Sequence, residues 1–140
     1  MGRWALLALS LWAVWALRAH HILALPGFVD ESLHILRAQV VFQFSDPVAS
    51  FLPRKLLLYY YLGLFGLQDH NALWLARQAV ALLAPLGAAL SFALAWRMTR
   101  HFGAALAVVW LYALSPFLAF FERMALADPL VSVLGLAVLL

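Results

Sequence analysis

Cysteine is absent from the 140 residues, and charged residues make up only 11% of them. The lack of cysteine excludes disulfides and thiolate chemistry. The sequence also has no phosphate-binding glycine loop, no serine nucleophile elbow and no nucleic-acid-binding motif. Soluble nucleotide-dependent enzymes and nucleic-acid-binding proteins therefore find no support here, and we expect no nucleic acid among the partners.

What the chain has in excess is apolar surface. Hydrophobic residues make up 67% of the sequence and the mean hydropathy is +0.97, whereas soluble domains are roughly 45–50% apolar. The apolar stretches are long and rich in alanine and leucine, which favours helices that meet lipid on all sides. The sequence therefore predicts an all-α fold, a polytopic transmembrane helical bundle.

Four stretches are predicted to span the membrane, at about residues 4–25, 72–96, 102–120 and 125–140. The last is cut short in an apolar run, so we expect residues 1–140 to be the N-terminal part of a longer multi-span domain. The first stretch also has a rival interpretation as a signal peptide, although Leu17-Arg18-Ala19 is a poor cleavage site. Residues 26–71 form a long outer loop, in which the short apolar segment 56–67 is predicted to lie along the interface.

Charge predicts the orientation. Arg3 and the turn at 97–101 contain basic residues and no acid, which places both in the cytoplasm by the positive-inside rule. All six acids then fall on or near the outer face: Asp30, Glu31, Asp46, Asp69, Glu122 and Asp128. We expect a multi-pass protein of the bacterial inner membrane whose active face points outward.

An amphipathic helix is predicted over residues 29–42 of this loop. Asp30, His34 and Arg37 share one face of it, and Val29, Leu33, Leu36 and Val40 the other. Asp30 and Glu31 in the first turn have two interpretations. They can start the helix, as an N-cap and a first-turn acid, or an ionised carboxylate at a membrane cavity can serve as the general base for an acceptor hydroxyl or amine.

Other charged residues give further candidates. Asp128 in an apolar segment is a functional candidate, with Arg123 as the nearest basic residue in the sequence. Arg54 and Lys55 can bind a phosphate or simply lie among anionic lipid headgroups. A metal site made of His20, His21 and His34 with the acidic pair lacks paired spacing, so we predict no cofactor and find no support for a divalent metal.

The order of these features resembles the GT-C type of membrane glycosyltransferases, closest to the protein O-mannosyltransferase and aminoarabinose transferase group. The matching features, in chain order, are the first span, Asp30-Glu31, Pro53 with Tyr59–Tyr61, Gly66, Arg77, the turn 97–103, Ser115-Pro116, Arg123 and Asp128-Pro129. The sequence departs from the family where Pro53-Arg54-Lys55 replaces a pair of prolines.

The resemblance implies transfer of a sugar, such as mannose, from a polyprenyl-phosphate lipid to an acceptor protein, lipid or glycan outside the cytoplasm. It implies an inverting reaction with Asp30 as general base, and it makes Glu31 and Asp128 the other catalytic candidates. The substrate-binding candidates are His34, Arg54, Lys55, Arg77 and Arg123. Two rival functions remain open: a structural or assembly subunit of a membrane complex, and a transporter fragment with Asp128 as its ion site.

Overall fold

The computed structural model describes residues 2–43, 55–68 and 70–140, and in this part every regular element is a helix. The helices are α1 (Arg3–Ala19), α2 (Val29–Val40), α3 (Leu56–Gly63), α4 (Ala72–Ala81), α5 (Leu83–Thr99), α6 (Phe102–Leu114), α7 (Pro116–Phe121) and α8 (Asp128–Leu139). The all-α prediction is confirmed. The candidate residue Arg54, together with Asp46, Pro53 and Asp69, lies outside the described residues.

Helices α4 and α5 together run from Ala72 to Thr99, and within the described residues this is the one helix long and apolar enough to cross a membrane. It is interrupted at Leu82. Pro85 explains the interruption, because its nitrogen has no hydrogen to donate to the Ala81 carbonyl and its ring crowds that group.

The other predicted spans are shorter as helices. α1 ends at Ala19 rather than near residue 25. The stretch 102–120 divides into α6 and α7 at Ser115, whose side-chain oxygen accepts a hydrogen bond from the Leu118 backbone, with Pro116 as the first residue of α7. A proline is well suited to this position but cannot continue a preceding helix.

α1, α5 and α6 pack together around a core of small and aromatic side chains. Ala84 and Ala88 of α5 face Ala105 and Ala113 of α6, and all four are buried. Small residues allow helix backbones to approach closely. Arg100, in the left-handed conformation with φ 55°, ends α5 and reverses the chain into α6.

A second core joins α2, α3 and α4 at the opposite end of α5. Trp4 of α1 contacts Trp96 and Phe102, so α1 begins beside the basic turn and ends beside the second core. The described acids, Asp30, Glu31, Glu122 and Asp128, therefore lie at the end of the bundle opposite Arg3, Arg97 and Arg100. We call these the acidic end and the basic end.

Candidate functional site

The acidic end is organised around a buried ion pair between Glu31 of α2 and Arg77 of α4, both fully buried. Arg77 donates two hydrogen bonds to the carboxylate, from Nε to Oε1 at 2.9 Å and from NH2 to Oε2 at 2.7 Å. This two-pronged geometry is the strongest form of an arginine–carboxylate pair. We call this pair and its backbone partners the Glu31–Arg77 hub.

Backbone groups complete the hub. Glu31 also accepts hydrogen bonds from the backbone N–H groups of Ala125, at 2.7 Å, and Phe28, at 2.9 Å. The Phe28 contact is half of a capping box, since the phenyl side chain has no acceptor to return it. Arg77 donates in addition to three carbonyls, those of Ile22, Leu25 and Pro26. The hub thus joins the α1–α2 connection, α2, α4 and the α7–α8 connection.

The ionised state of Glu31 follows from these contacts. Burial alone raises the pKa of this carboxyl, but the Arg77 hydrogen bond, the Ala125 and Phe28 hydrogen bonds and the Arg77 charge together lower it further than burial raises it. The net pKa lies below the ordinary value of 4.5. An ionised carboxylate whose oxygens are fully engaged suits a structural role better than that of a proton acceptor.

A second group of polar side chains lies next to the hub, between α2 and the start of α3. Lys55 Nζ donates to His34 Nε2 at 3.2 Å, and His34 Nδ1 is 2.9 Å from the Ala125 carbonyl oxygen. Arg37 donates to the Tyr59 hydroxyl at 2.8 Å and its guanidinium carbon lies 5.6 Å from the centre of that ring. The His34 ring is 5.9 Å from the same tyrosine. We call His34, Arg37, Lys55 and Tyr59 the basic cluster.

The basic cluster has an unusual charge balance. Arg37 and Lys55 are cations, and neither is paired with a carboxylate among the described residues. His34 and Tyr59 are buried, so packing holds the side of the cluster that faces the bundle. Cationic donors on a buried support, with no described counter-charge, form an arrangement that fits an anion.

An apolar groove of about 160 Å³ lies between α3 and α8, with Lys55 among its lining residues. Its walls are Leu56, Leu57, Leu58, Ala127, Leu130, Val131 and Leu134. Asp128, the first residue of α8, follows Ala127 in the chain. Lys55 is therefore the one cation among the described lining residues of the groove, and the others are apolar.

Two candidate acids, Asp30 and Asp128, are exposed in the structure. Asp30 is exposed beside the buried Glu31, and it does not cap α2, whose N-cap is Phe28. Asp128 is exposed in the first turn of α8. Neither carboxylate makes an ion pair within the described residues. Both are therefore open to solvent or substrate at the acidic end.

Arg123, the basic residue nearest Asp128 in the sequence, makes no ion pair with it in the described part of the chain. Its NH2 group donates to the carbonyls of His20, at 2.8 Å, and His21, at 2.7 Å, just after α1 ends. His21 has a positive φ of 47°. Its carbonyl and that of His20 both accept hydrogen bonds from Arg123. Arg123 therefore holds the end of α1 in place.

One buried network was missed by the sequence reasoning. Arg18 of α1 donates to Glu122 Oε2 at 2.8 Å, and the Tyr112 hydroxyl donates to the other carboxylate oxygen. Arg18 also donates to the carbonyls of Tyr112 and Ala113 at the end of α6. The sequence did contain a signal for this pair. Arg18 and Glu122 are single charges of opposite sign, each beside an apolar stretch and near the same predicted depth in the membrane.

Helix α2 buries two polar side chains beside the apolar Ile35 and Ala38, and it exposes large apolar side chains. Val29, Leu33 and Leu36 are exposed, whereas Glu31 and His34 are buried against the bundle. We expected the polar face with Asp30 and His34 to meet water or a cavity. Only Asp30 is exposed, because α3 covers His34 and brings Lys55 and Tyr59 onto it.

No metal-binding group of three or more histidine, cysteine, aspartate or glutamate side chains occurs within residues 2–43, 55–68 and 70–140. The rings of His20 and His21 contact one another, but His34 is bonded to Lys55 and Ala125 instead. No family model, no curated protein and no solved structure matches this chain.

Proposed function

We propose that this chain is part of a multi-pass membrane glycosyltransferase that takes a sugar from a polyprenyl-phosphate lipid on the outer face. In this proposal α1, α6–α7 and α8 cross or enter the bilayer together with α4–α5. Large apolar side chains on these helices support it, since Trp12, Leu111 and Val138 are exposed. The outward-facing leucines of α2 support it as well, because exposed apolar surface of this extent is stable against lipid rather than water.

The observation that carries the proposal is that the basic cluster and the α3–α8 groove share Lys55. A polyprenyl-phosphate sugar has a negatively charged phosphate attached to a long hydrocarbon chain. Lys55 and Arg37 supply donors for the phosphate, and the leucine-lined groove that Lys55 helps to line supplies a surface for the hydrocarbon. This combination fits the two halves of such a donor molecule.

The proposed chemistry balances at this site. Asp30 removes a proton from the acceptor hydroxyl or amine, the acceptor atom bonds to the anomeric carbon, and the bond from that carbon to the phosphate oxygen breaks with inversion. The electron pair of the broken bond goes to the phosphate, which gains one negative charge. Cations aimed at that group stabilise the charge as it develops.

Donor binding tests the central observation. We expect Lys55→Gln and Arg37→Gln each to weaken binding of a prenyl phosphodiester to the detergent-solubilised protein by about ten- to a hundredfold, since a charge-assisted hydrogen bond contributes about 1.5–3 kcal/mol. Arg100→Gln at the basic end is the matched control and should bind like the unaltered protein. Equal binding by all four proteins would refute the donor site.

An assay of sugar transfer tests whether Asp30 is the general base. In a reconstituted assay with a polyprenyl-phosphate sugar, Asp30→Asn should lose transfer while the protein still inserts and binds the donor. Undiminished transfer would remove Asp30 from the mechanism and leave Asp128, the other exposed acid of this end, as the candidate base.

A structural subunit is the rival that the geometry also favours in one respect. Glu31, Arg77 and Arg123 all hold backbone segments together, as expected of a scaffold. Donor binding that depends on Lys55 and Arg37 separates the two functions, because a scaffold needs no phosphate-bearing lipid.

A further inference from the structure

His34 lies at the centre of the basic cluster, and its hydrogen bonds define its protonation state. A carbonyl oxygen only accepts, so Nδ1 must carry the hydrogen that points to Ala125. Nε2 then accepts from the Lys55 ammonium. His34 is therefore neutral with its hydrogen on Nδ1, and Lys55 is charged.

This arrangement excludes a second proton. If Nε2 gained a hydrogen, it would face the Lys55 ammonium as donor against donor and positive charge against positive charge. Protonation of His34 and the Lys55–His34 hydrogen bond are thus mutually exclusive in the absence of a ligand. The Nδ1 contact with Ala125 is compatible with both states, so the ring stays in place.

A bound phosphate removes the conflict between the Lys55 ammonium and a protonated His34. Its oxygens accept hydrogen bonds from an ammonium and an imidazolium at once, which turns the repulsion between Lys55 and a protonated His34 into two charge-assisted bonds to one anion. Because this outcome is only available with both groups charged, the ligand favours the form of the site that carries the extra proton.

We propose that binding of a phosphate-bearing lipid at the basic cluster is coupled to uptake of one proton by His34. The proposal rests on the donor site described under Proposed function and adds its regulation: the lipid binds more tightly as the pH falls, and release of the phosphate returns the proton to solvent.

The charged or titratable groups around His34 are of both signs. On α3 the charged or titratable neighbours are Lys55 and Tyr59, and on α2 itself they are Asp30, Glu31 and Arg37. Glu31 is neutralised by Arg77 of α4. The α7–α8 connection contributes the Ala125 carbonyl, with Asp128 three residues further along the chain.

The first measurement is the affinity against pH. The probe is a farnesyl methyl phosphodiester, whose single charge stays constant over the range in which histidine titrates, about pH 5 to 8. One linked proton predicts an affinity that rises by up to about tenfold for each pH unit lowered. Calorimetry in buffers of different ionisation enthalpy should show uptake approaching one proton for each lipid bound.

Variants separate His34 from other histidines. His34→Gln keeps an amide that can accept from Lys55 but cannot ionise, so its binding should be weaker at low pH and should no longer depend on pH. His70→Gln, an exposed histidine before α4, is the matched control and should keep the pH dependence. If His34→Gln does not fold, ¹⁵N signals of labelled histidine in the unaltered protein provide the same information.

In that spectrum the lipid should convert one histidine from the neutral Nδ1–H form to the imidazolium, and inorganic phosphate or farnesol alone should do so less. Binding without proton uptake and without a change in the His34 signal would overturn the coupling and leave the donor site intact. An absence of lipid binding at every pH would instead overturn the donor site and the coupling with it.

Discussion

The two buried arginine–glutamate pairs of the acidic end are alike in burial and in their shortest distance and different in what they hold. The carboxylate–arginine distance is 2.7 Å in Glu31–Arg77 and 2.8 Å in Arg18–Glu122, and all four residues are buried. The carbonyls that Arg77 binds belong to an irregular connection, whereas those that Arg18 binds lie in the last turn of α6.

That difference decides how much each pair organises. Helix α6 already orients its terminal carbonyls, and Tyr112 O also accepts from the Ser115 backbone at 3.3 Å. The carbonyls of Ile22, Leu25 and Pro26 have no helix to align them, and Ala125 N–H relies on Glu31. The hub therefore determines the course of the connections next to the candidate site, and the second pair reinforces a packing that helices have already formed.

The largest expected effect is loss of Arg77. Arg77→Met should lower the free energy of unfolding by about 5 kcal/mol, because it leaves the buried Glu31 charge uncompensated and three carbonyls without a donor. Arg18→Met should lower it by about 3 kcal/mol, since Glu122 keeps the Tyr112 hydroxyl. Denaturant unfolding in detergent measures both values. An equal or greater loss for Arg18→Met would contradict the distinction between the pairs.

Removing both charges of a pair sharpens the comparison. In Arg18→Met/Glu122→Leu no buried charge is left, so we expect most of the single-variant loss to be recovered, to within about 1.5 kcal/mol of the unaltered protein. Arg77→Met/Glu31→Leu should stay about 3 kcal/mol less stable, because the backbone groups of the hub still lack partners. Full recovery of the second double variant would show that the hub is merely a charge pair.

The helices near the candidate site were predictable and their contacts were not. Periodicity predicted a helix over 29–42, and α2 spans Val29–Val40. The short apolar segment 56–67 contains α3. Local pattern captures such elements because they depend on residues three or four positions apart. The burial of His34 depends on contacts with Lys55 and Tyr59, which no local pattern connects to it.

The same limit explains the site residues. Glu31 and Arg77 were singled out for roles in catalysis and substrate binding, and the structure shows them bound to each other across four segments. Arg123 was named as the basic residue nearest Asp128 in the sequence, and in the structure it donates to carbonyls at the end of α1. Arg37 was noted only as part of a polar face, yet it completes the basic cluster. Pairings between residues far apart in the chain carry no spacing signal.

Gly87 provides a further test of the Arg18–Glu122 pair, because it lies against Tyr112. A Cβ at Gly87 would overlap the Tyr112 hydroxyl and lie 3.0 Å from its Cζ atom. Gly87→Ala should therefore displace the tyrosine from Glu122 and lower the free energy of unfolding by about 1–3 kcal/mol, despite the better helix propensity of alanine.

Two variants control for this effect. Gly87→Ala/Tyr112→Phe removes the clashing hydroxyl, so it should cost less than the sum of its single variants. Gly135→Ala in α8, where nothing lies within 4 Å of the added atom, should be neutral or stabilising by up to about 1 kcal/mol. A loss at Gly135 as large as at Gly87 would mean that close approach to Tyr112 is not the cause.

The smallest expected effect is the response of the hub to acid. The pKa of Glu31 is lower in the folded protein than its ordinary value of 4.5, chiefly because burial is outweighed by the Arg77 hydrogen bond and by the two backbone donors. A depressed carboxyl pKa contributes stability that is present above the unfolded-state pKa and is lost as the pH falls through the folded-state pKa. Unfolding free energies should therefore decline below about pH 4.5, and Glu31→Gln, although less stable throughout, should decline less steeply over the same interval. Parallel curves for the two proteins would mean that other carboxylates carry the acid sensitivity, and that the hub is stabilised by its geometry rather than by its charge.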